Sequence, residues 1–339
     1  MAKENPLIKL RKDLKENNLD KLYLFFGEEV YLKELYTKKI LQTIPDDGFE
    51  EFNKIIIDAK VSDMFSVSEA LESFPMMSDK KIVLIENSGI FKNANQETKD
   101  FYSKVFASLA EDTVLIFSET EVDKRSSLFK TAQKAGSVVE FELLSETDLI
   151  SFVQREVMGQ GKKIQKDVAE YLVNISDTTL SSLKNEILKL VSNCESEITK
   201  TDVDRLASKS LQIQVFELCD LLMERKTDRV LQMLEDLKTV KESPFKLIYI
   251  LFGTFDKMLK AKLMEREGIS YQDITKELGV PPFIAKKYIN GQKGFSEDEL
   301  ILMTVKVAEV DLLIKQGKVD EWSAFENYIT DFLRYGKEN

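Results

Sequence analysis

Leu22-Tyr23-Leu24-Phe25-Phe26-Gly27-Glu28-Glu29-Val30-Tyr31-Leu32-Lys33-Glu34 is an apolar run that ends on a glycine and passes directly into a helix-like segment. Four further runs follow it, at Phe52–Asp58, Lys81–Ile85, Thr113–Ser118 and Val138–Leu143. Three of them contain stretches that are apolar without alternation: Ile55-Ile56-Ile57, Ile82-Val83-Leu84-Ile85 and Val114-Leu115-Ile116-Phe117. Strands of that kind are expected to be buried on both faces, as in a parallel sheet covered by helices. The amphipathic segments between the runs are long enough for the crossover helices that parallel pairing requires. Residues 1–143 therefore read as an α/β domain of the nucleotide-binding type.

In such a layer the phosphate-binding loop follows the first strand, where GxxxxGK[ST] supplies backbone amides and a lysine to the phosphates. Here the first strand meets one glycine, no Gly-Lys pair and two carboxylates, Glu28 and Glu29. Acids at a helix N-terminus are stabilised by the helix dipole by about 0.3–1 kcal/mol each. They also occupy, and repel phosphate from, the position a nucleotide would take. Gly159-Gln160-Gly161-Lys162-Lys163 mimics the motif only superficially, because it lacks the spacing, the final Ser/Thr and a preceding strand. No cofactor is expected.

After residue 143 the pattern becomes helical. Ser145-Glu146-Thr147-Asp148 has the N-cap and early acids of a helix start. Further periodic segments at 165–175, 179–193 and 200–208 complete a small helical domain, 144–210. Residues 211–339 are expected to be helical throughout, over roughly 213–225, 227–240, 244–267, 270–278, 281–290, 296–317 and 320–334. Gly268, Gly279, Gly291, Gly294 and Gly317 mark the breaks. No fixed-period repeat is present, so a bundle is expected rather than a solenoid.

Composition narrows the chemistry. The 339 residues carry 48 Lys and Arg against 59 Asp and Glu, a formal charge of −11. A chain this acidic repels nucleic acid overall, so any such contact is local and depends on partners. There is no histidine, which removes His-based acid–base catalysis and His metal ligands. Cys194 and Cys219, both in apolar helical contexts, have no CxxC spacing and read as free core thiols. The opening Met1-Ala2-Lys3-Glu4-Asn5-Pro6 lacks a signal-peptide apolar core. The longest apolar run, Leu247–Phe252, is far below the roughly 20 residues a membrane-crossing helix needs. A cytoplasmic protein with no membrane partner is expected.

The segments Leu22–Leu32, Ser73-Phe74-Pro75-Met76-Met77-Ser78-Asp79-Lys80-Lys81-Ile82-Val83-Leu84-Ile85-Glu86-Asn87, Asp123–Lys130 and Gly136–Phe141, in that order, resemble the delta-subunit family of the bacterial DNA polymerase III clamp loader. The similarity continues more weakly through the helical half. It implies an AAA+-like parallel-sheet domain with a degraded nucleotide site, a small helical lid domain (144–210) and a C-terminal helical collar domain (211–339). Where an active relative carries Asp-Glu after its third strand for Mg²⁺, this chain has Glu86-Asn87. The Ser-Arg-Cys arginine-finger segment and the four-cysteine zinc module of the sibling subunits are absent. The implied partners are the beta sliding clamp, the tau/gamma ATPase subunits, delta prime, and primed DNA within the assembled complex. The implied role is to open the clamp without catalysis or ATP binding by this chain.

A helix over Ser66–Ser73 should stop at Phe74, because Pro75 disfavours helical geometry there. Pattern alone allows Phe74, Met76 and Met77 to pack that helix on the sheet. The resemblance makes Phe74, Pro75, Met76 and Met77 the clamp-binding element. Methionine at 77, where family members often have an aromatic, keeps the apolar contact with less shape specificity.

Two other readings compete. Ser270–Tyr288 has the spacing and central Gly279 of a helix-turn-helix, so residues 270–290 could serve a DNA-binding regulator with Lys286 and Lys287 on phosphates. Its second helix nevertheless offers no Arg, Asn or Gln to base edges at Pro281-Pro282-Phe283-Ile284. The acidic clusters Asp46-Asp47, Glu50-Glu51 and Glu119–Asp123 could hold a metal in an enzyme, but such loops are generally solvated surface. Lys124, Arg125 and Lys130 are weaker candidates for touching DNA. The helices Met223–Arg229 and Phe245–Leu263 present broad apolar faces suited to partner subunits or to internal packing.

Overall fold

In the computed structural model, residues 5–45, 48–60 and 64–338 are described, with side chains as far as Arg334. They form two compact units divided between Leu144 and Ser145.

The first unit runs α1 (Pro6–Glu16), β1 (Leu22–Phe26), α2 (Val30–Leu41), α3 (Glu50–Asn53), β2 (Lys54–Asp58), α4 (Met64–Glu72), β3 (Lys81–Glu86), α5 (Gln96–Ser108), β4 (Thr113–Ser118), α6 (Ser127–Ala135) and β5 (Ser137–Glu140). The five strands are all parallel, in the order β2-β3-β4-β1-β5. Alternate residues feed two cores. Leu24, Phe26, Val83, Ile85, Leu115 and Phe117 pack with side chains of α4, α5 and α6. Tyr23, Phe25, Ile82, Leu84, Val114 and Ile116 pack with α1 and α2. This is the doubly covered parallel layer expected from the unbroken apolar runs, and it has the AAA+-like form that the resemblance implies. Phe117 is the aromatic centre of one face, with edge-on contacts to Phe91, Tyr102 and Phe106.

Several boundaries differ from expectation. The second strand starts at Lys54 rather than Phe52, because Phe49 O accepts from the amides of Phe52 and Asn53 and winds residues 50–53 into a helical turn. Ile56 is 57% exposed, since β2 is an edge strand and lacks the two-sided cover of its neighbours. The fifth strand is Ser137–Glu140, so Glu142 and Leu143 lie beyond it. The Asp46-Asp47 cluster lies outside the described residues.

The second unit begins with α7 (Glu146–Gly159), capped by Ser145 Oγ accepting from Asp148 N–H. Next come β6 (Lys163–Ile164), α8 (Lys166–Ile175), α9 (Leu180–Asn193), β7 (Glu197–Ile198) and α10 (Lys200–Leu206). The parallel pair β6–β7 was not expected in a helical segment. Gly159–Lys163 is thus the end of α7, a turn and the start of β6, with Lys162 Nζ donating to Cys194 O and Glu195 O, rather than a phosphate loop. Cys194 is half-buried at the C-cap of α9, and Cys219 alone of the two is a core thiol.

The remaining helices are α11 (Leu211–Met223), α12 (Thr227–Thr239), α13 (Pro244–Arg266), α14 (Tyr271–Glu277), α15 (Pro282–Gly291), α16 (Glu297–Lys315) and α17 (Glu321–Glu338). They share one core, with α13 packed against α11, α15, α16 and α17. No described helix is long and apolar enough to cross a membrane. Replacing Phe117, which is fully buried, with alanine should cost about 3–5 kcal/mol. A urea melt of the intact chain followed by circular dichroism measures this. A loss below about 1 kcal/mol would contradict the packing described for that face.

Candidate functional site, an exposed apolar tip and a closed cleft

Two places on the first unit stand out, at opposite ends of its sheet. The first lies between α4 and β3, at the edge where the strands begin. Helix α4 ends at Glu72, two residues before Phe74, as Pro75 requires. Phe74 is 84% exposed, Met77 81% and Met76 43%, with Pro75 partly covered. The sequence alone allowed internal packing for these side chains, and the fold does not pack them. A shallow groove of about 560 Å³ runs beside Met77, between Leu19, Ile44, Pro45 and Lys80.

The backbone under these exposed side chains is held from inside. Asn53, fully buried, accepts from Met76 N–H at 2.8 Å through Oδ1 and donates to Met76 O at 2.7 Å through Nδ2. Lys81, also fully buried, caps the C-terminus of α4. Its ammonium donates to Ala70 O at 2.8 Å, Leu71 O at 2.9 Å, Ser73 Oγ at 3.1 Å and Ser73 O. These are carbonyls that a helix end leaves without partners. Burial pulls the Lys81 pKa below the usual lysine range, and Asp112 opposes the shift. Neither Asn53 nor Lys81 was singled out from the sequence. Asn53 sat in what read as the start of a strand, and Lys81 opened one.

The second place is beyond the C-terminal ends of β1 and β4, where the strand order reverses. Open parallel sheets bind ligands at such a crevice. Here the amides of the β1–α2 loop are already engaged. Gly27 N–H donates to Thr120 O, Glu29 N–H to Phe141 O at 3.0 Å, and Tyr31 N–H to the Glu29 carboxylate at 3.1 Å. Gly27 has φ +118°, and a Cβ there would lie 2.4 Å from Phe141 O, so the loop is pressed against the chain leaving β5. Glu29 is the buried N-cap of α2. Its carboxyl is pushed up by burial and pulled back by the Tyr31 and Leu32 amides. The remaining cleft, about 460 Å³, carries Glu28, Glu121, Glu140 and Glu142 against the single cation Lys124.

Of the basic candidates, Lys124 pairs with Glu140 at 2.6 Å and lies over the Phe26 ring, and Arg125 pairs with Asp123 at 3.2 Å. Lys130 is exposed. Glu119, expected on a solvated acidic surface, is buried. It accepts from the amides of Ser88 and Gly89 at 3.0 Å each and from Ser88 Oγ. Lys33 Nζ reaches the Glu119 carbonyl at 2.8 Å, and burial lowers its pKa. Among the described residues no group of acidic or cysteine side chains has the geometry of a metal site.

The helix-turn-helix candidate is α14 with α15. Its Ile274, Ala285, Tyr288 and Ile289 belong to the helical core. Lys287 is turned inward, its ammonium donating to Asn174 O at 3.3 Å and lying over the Phe216 ring, while Lys286 is exposed. A reading helix needs its face free for the groove, and much of this one is committed to the core.

A parallel α/β unit of this topology followed by a helical unit defines an AAA+-like chain. Family models for the DNA polymerase III delta subunit match residues 23–142, and for its C-terminal domain residues 212–332. A DNA polymerase III subunit delta of Bacillus subtilis is 28% identical over 337 residues, 97% of both chains. A probable subunit delta of Aquifex aeolicus is 23% identical over 324 residues, 93% of this chain and 91% of that one. The solved structure of the Bacillus subtilis DNA clamp loader delta protein superposes with a TM-score of 0.75 at 27% identity, covering 97% of this chain and 99% of that one. The chain belongs to the DNA polymerase III delta-subunit family of clamp loaders.

Burial pushes the Glu119 carboxyl above the ordinary value of 4.5, against its hydrogen bonds and Lys33. The native chain then keeps a proton that the unfolded chain releases, so this residue's contribution to stability is largest below pH 4.5 and falls as pH rises through the raised native value. As pH rises from 4.5, the stability of the wild type relative to Glu119→Gln, taken from urea midpoints, should fall. Parallel curves would mean that Glu119 titrates as it does in the unfolded chain.

Proposed function

We propose that this chain grips the beta sliding clamp through Phe74, Pro75, Met76 and Met77 and opens it for loading onto primed DNA. The observation that carries the reading is the exposure of Phe74 and Met77 on a backbone fixed by buried polar groups. Large apolar side chains held in water suit a partner pocket. Fully burying each is worth roughly 1.5–3 kcal/mol before association costs. Seated near a clamp subunit interface, the tip would favour a clamp shape that cannot close, because it binds that shape better.

The same reading makes the subunit non-catalytic and free of ATP. In support, the loop amides that would cradle phosphate are bonded within the chain, and the cleft beside them is acidic. Control would come from ATP on the tau/gamma subunits, with delta prime completing a cytoplasmic loader. Residues 144–210 would act as the lid, and residues 211–339, of which Ile213 to Leu333 contribute to one core, as the collar that joins the other subunits. Within that assembly Arg125 and Lys130 would face DNA. Lys124 is less available because of Glu140.

Phe74→Ala/Met77→Ala should weaken clamp binding by roughly 2–4 kcal/mol, about thirty- to several hundred-fold, while its thermal melt stays that of the wild type. Surface plasmon resonance on immobilised clamp reads the affinity. Unchanged binding by the folded variant would overturn the assignment. Calorimetric titration of the isolated chain with Mg²⁺–ATP should give no saturable heat, and a stoichiometric isotherm would refute the ATP-free reading.

A further inference from the structure

The exposed tip is anchored by a residue that lies outside it. Asn53 is the last residue of α3, and its carboxamide does for Met76 what a neighbouring strand would, accepting from the N–H and donating to the carbonyl of the same residue. Both distances are within the normal range for such bonds. Just before Phe74, Lys81 holds the carbonyl and hydroxyl of Ser73. Phe74 and Pro75 are thus suspended between two buried anchors. Immediately after the second anchor, Met77 has φ +53°, a left-handed conformation that a non-glycine residue keeps only when its surroundings impose it. Hydrophobic burial cannot impose it here, since the Met77 side chain is in water. The two hydrogen bonds to Met76 lie immediately before it in the chain.

We propose that Asn53 is a positioning residue for clamp engagement: by pairing with both backbone polar groups of Met76, it holds Phe74 and Met77 in their presented arrangement before a partner arrives. The proposal rests on the reading of the tip as the clamp contact. A preformed tip binds without the cost of ordering at the encounter. When the anchor is removed, only a fraction of molecules present the tip correctly, and apparent affinity falls by that fraction. Asn53 itself is fully buried.

The test uses the full chain with Asn53→Ala, and Asn53→Asp as a nearly isosteric second variant. The aspartate keeps an acceptor for Met76 N–H but sets a carboxylate oxygen against Met76 O. Hydrogen exchange of the free chain should speed up at the Met76 amide by about tenfold in Asn53→Ala and less in Asn53→Asp, while Leu115 and Phe117 in the central strand keep their protection. Clamp affinity should fall by about tenfold in Asn53→Ala, the loss expected for two hydrogen bonds. In the Phe74→Ala/Met77→Ala background, Asn53→Ala should weaken binding no further, because it acts only through those side chains. Faster exchange with unchanged affinity would overturn the proposal, as would a loss that adds fully to that of the double variant. Unchanged Met76 exchange in both variants would also overturn it. Should Asn53→Ala fail to fold, Asn53→Asp carries the same comparison. If the double variant binds the clamp like the wild type, the clamp reading itself fails, and exchange at Met76 decides separately whether Asn53 orders the tip.

Discussion

Backbone hydrogen bonding in the parallel sheet is the constraint from which the rest of the first unit follows. β1 lies between β4 and β5, and all five of its residues are buried, so its peptide groups find their partners in neighbouring strands. Parallel pairing forces each connection to cross a face, which brings α2 to one side, where α1 also packs, and α4, α5 and α6 to the other. The edge strand β2 pairs on one side only, and there the layer loosens: Ile56 reaches solvent, and the turn preceding the strand supplies Asn53 for another purpose.

The same requirement, that buried polar groups be paired, has opposite consequences at the two ends of the sheet. Beyond β1 and β4, pairing within the chain consumes the amides of Gly27, Glu29 and Tyr31 and draws the loop onto Phe141. A crevice that this topology usually gives to a ligand is left acidic and partly filled. At the other end, Asn53 and Lys81 satisfy backbone groups next to a segment whose side chains find no core. The proposed role of these bonds is to hold an apolar tip in one shape where no core does so. The proposed division of labour, a grip at one end and no nucleotide at the other, follows from where these internal hydrogen bonds fall.

Much of this was legible in the residues. Four of the five large strands begin within a residue of their apolar runs, and most helices from α7 onward, though not α8 or α17, begin at the Ser, Thr and Pro positions that mark such starts. The missing Gly-Lys pair after β1 and the proline stop at Phe74 needed no coordinates. Glu119 was misread because a charge among other charges carries no mark of burial. Its environment is made by Ser88, Gly89 and Lys33, all distant in sequence. Asn53 was missed for the same reason, since the residue it serves lies on the far side of a strand and a helix.

Periodicity, caps and breakers are local properties, because a residue's preference for strand, helix or turn is set by its own side chain and its nearest neighbours. The chain's one-dimensional pattern therefore determined the α/β layer, the helical remainder, the lack of a phosphate loop and the place where α4 must stop. Which apolar side chains are left in water, which carboxylate is buried and which amide group holds the tip depend on contacts between segments tens of residues apart. Only the folded chain brings those segments together, so only the tertiary structure decided that Phe74 and Met77 face outward over an anchor made by Asn53.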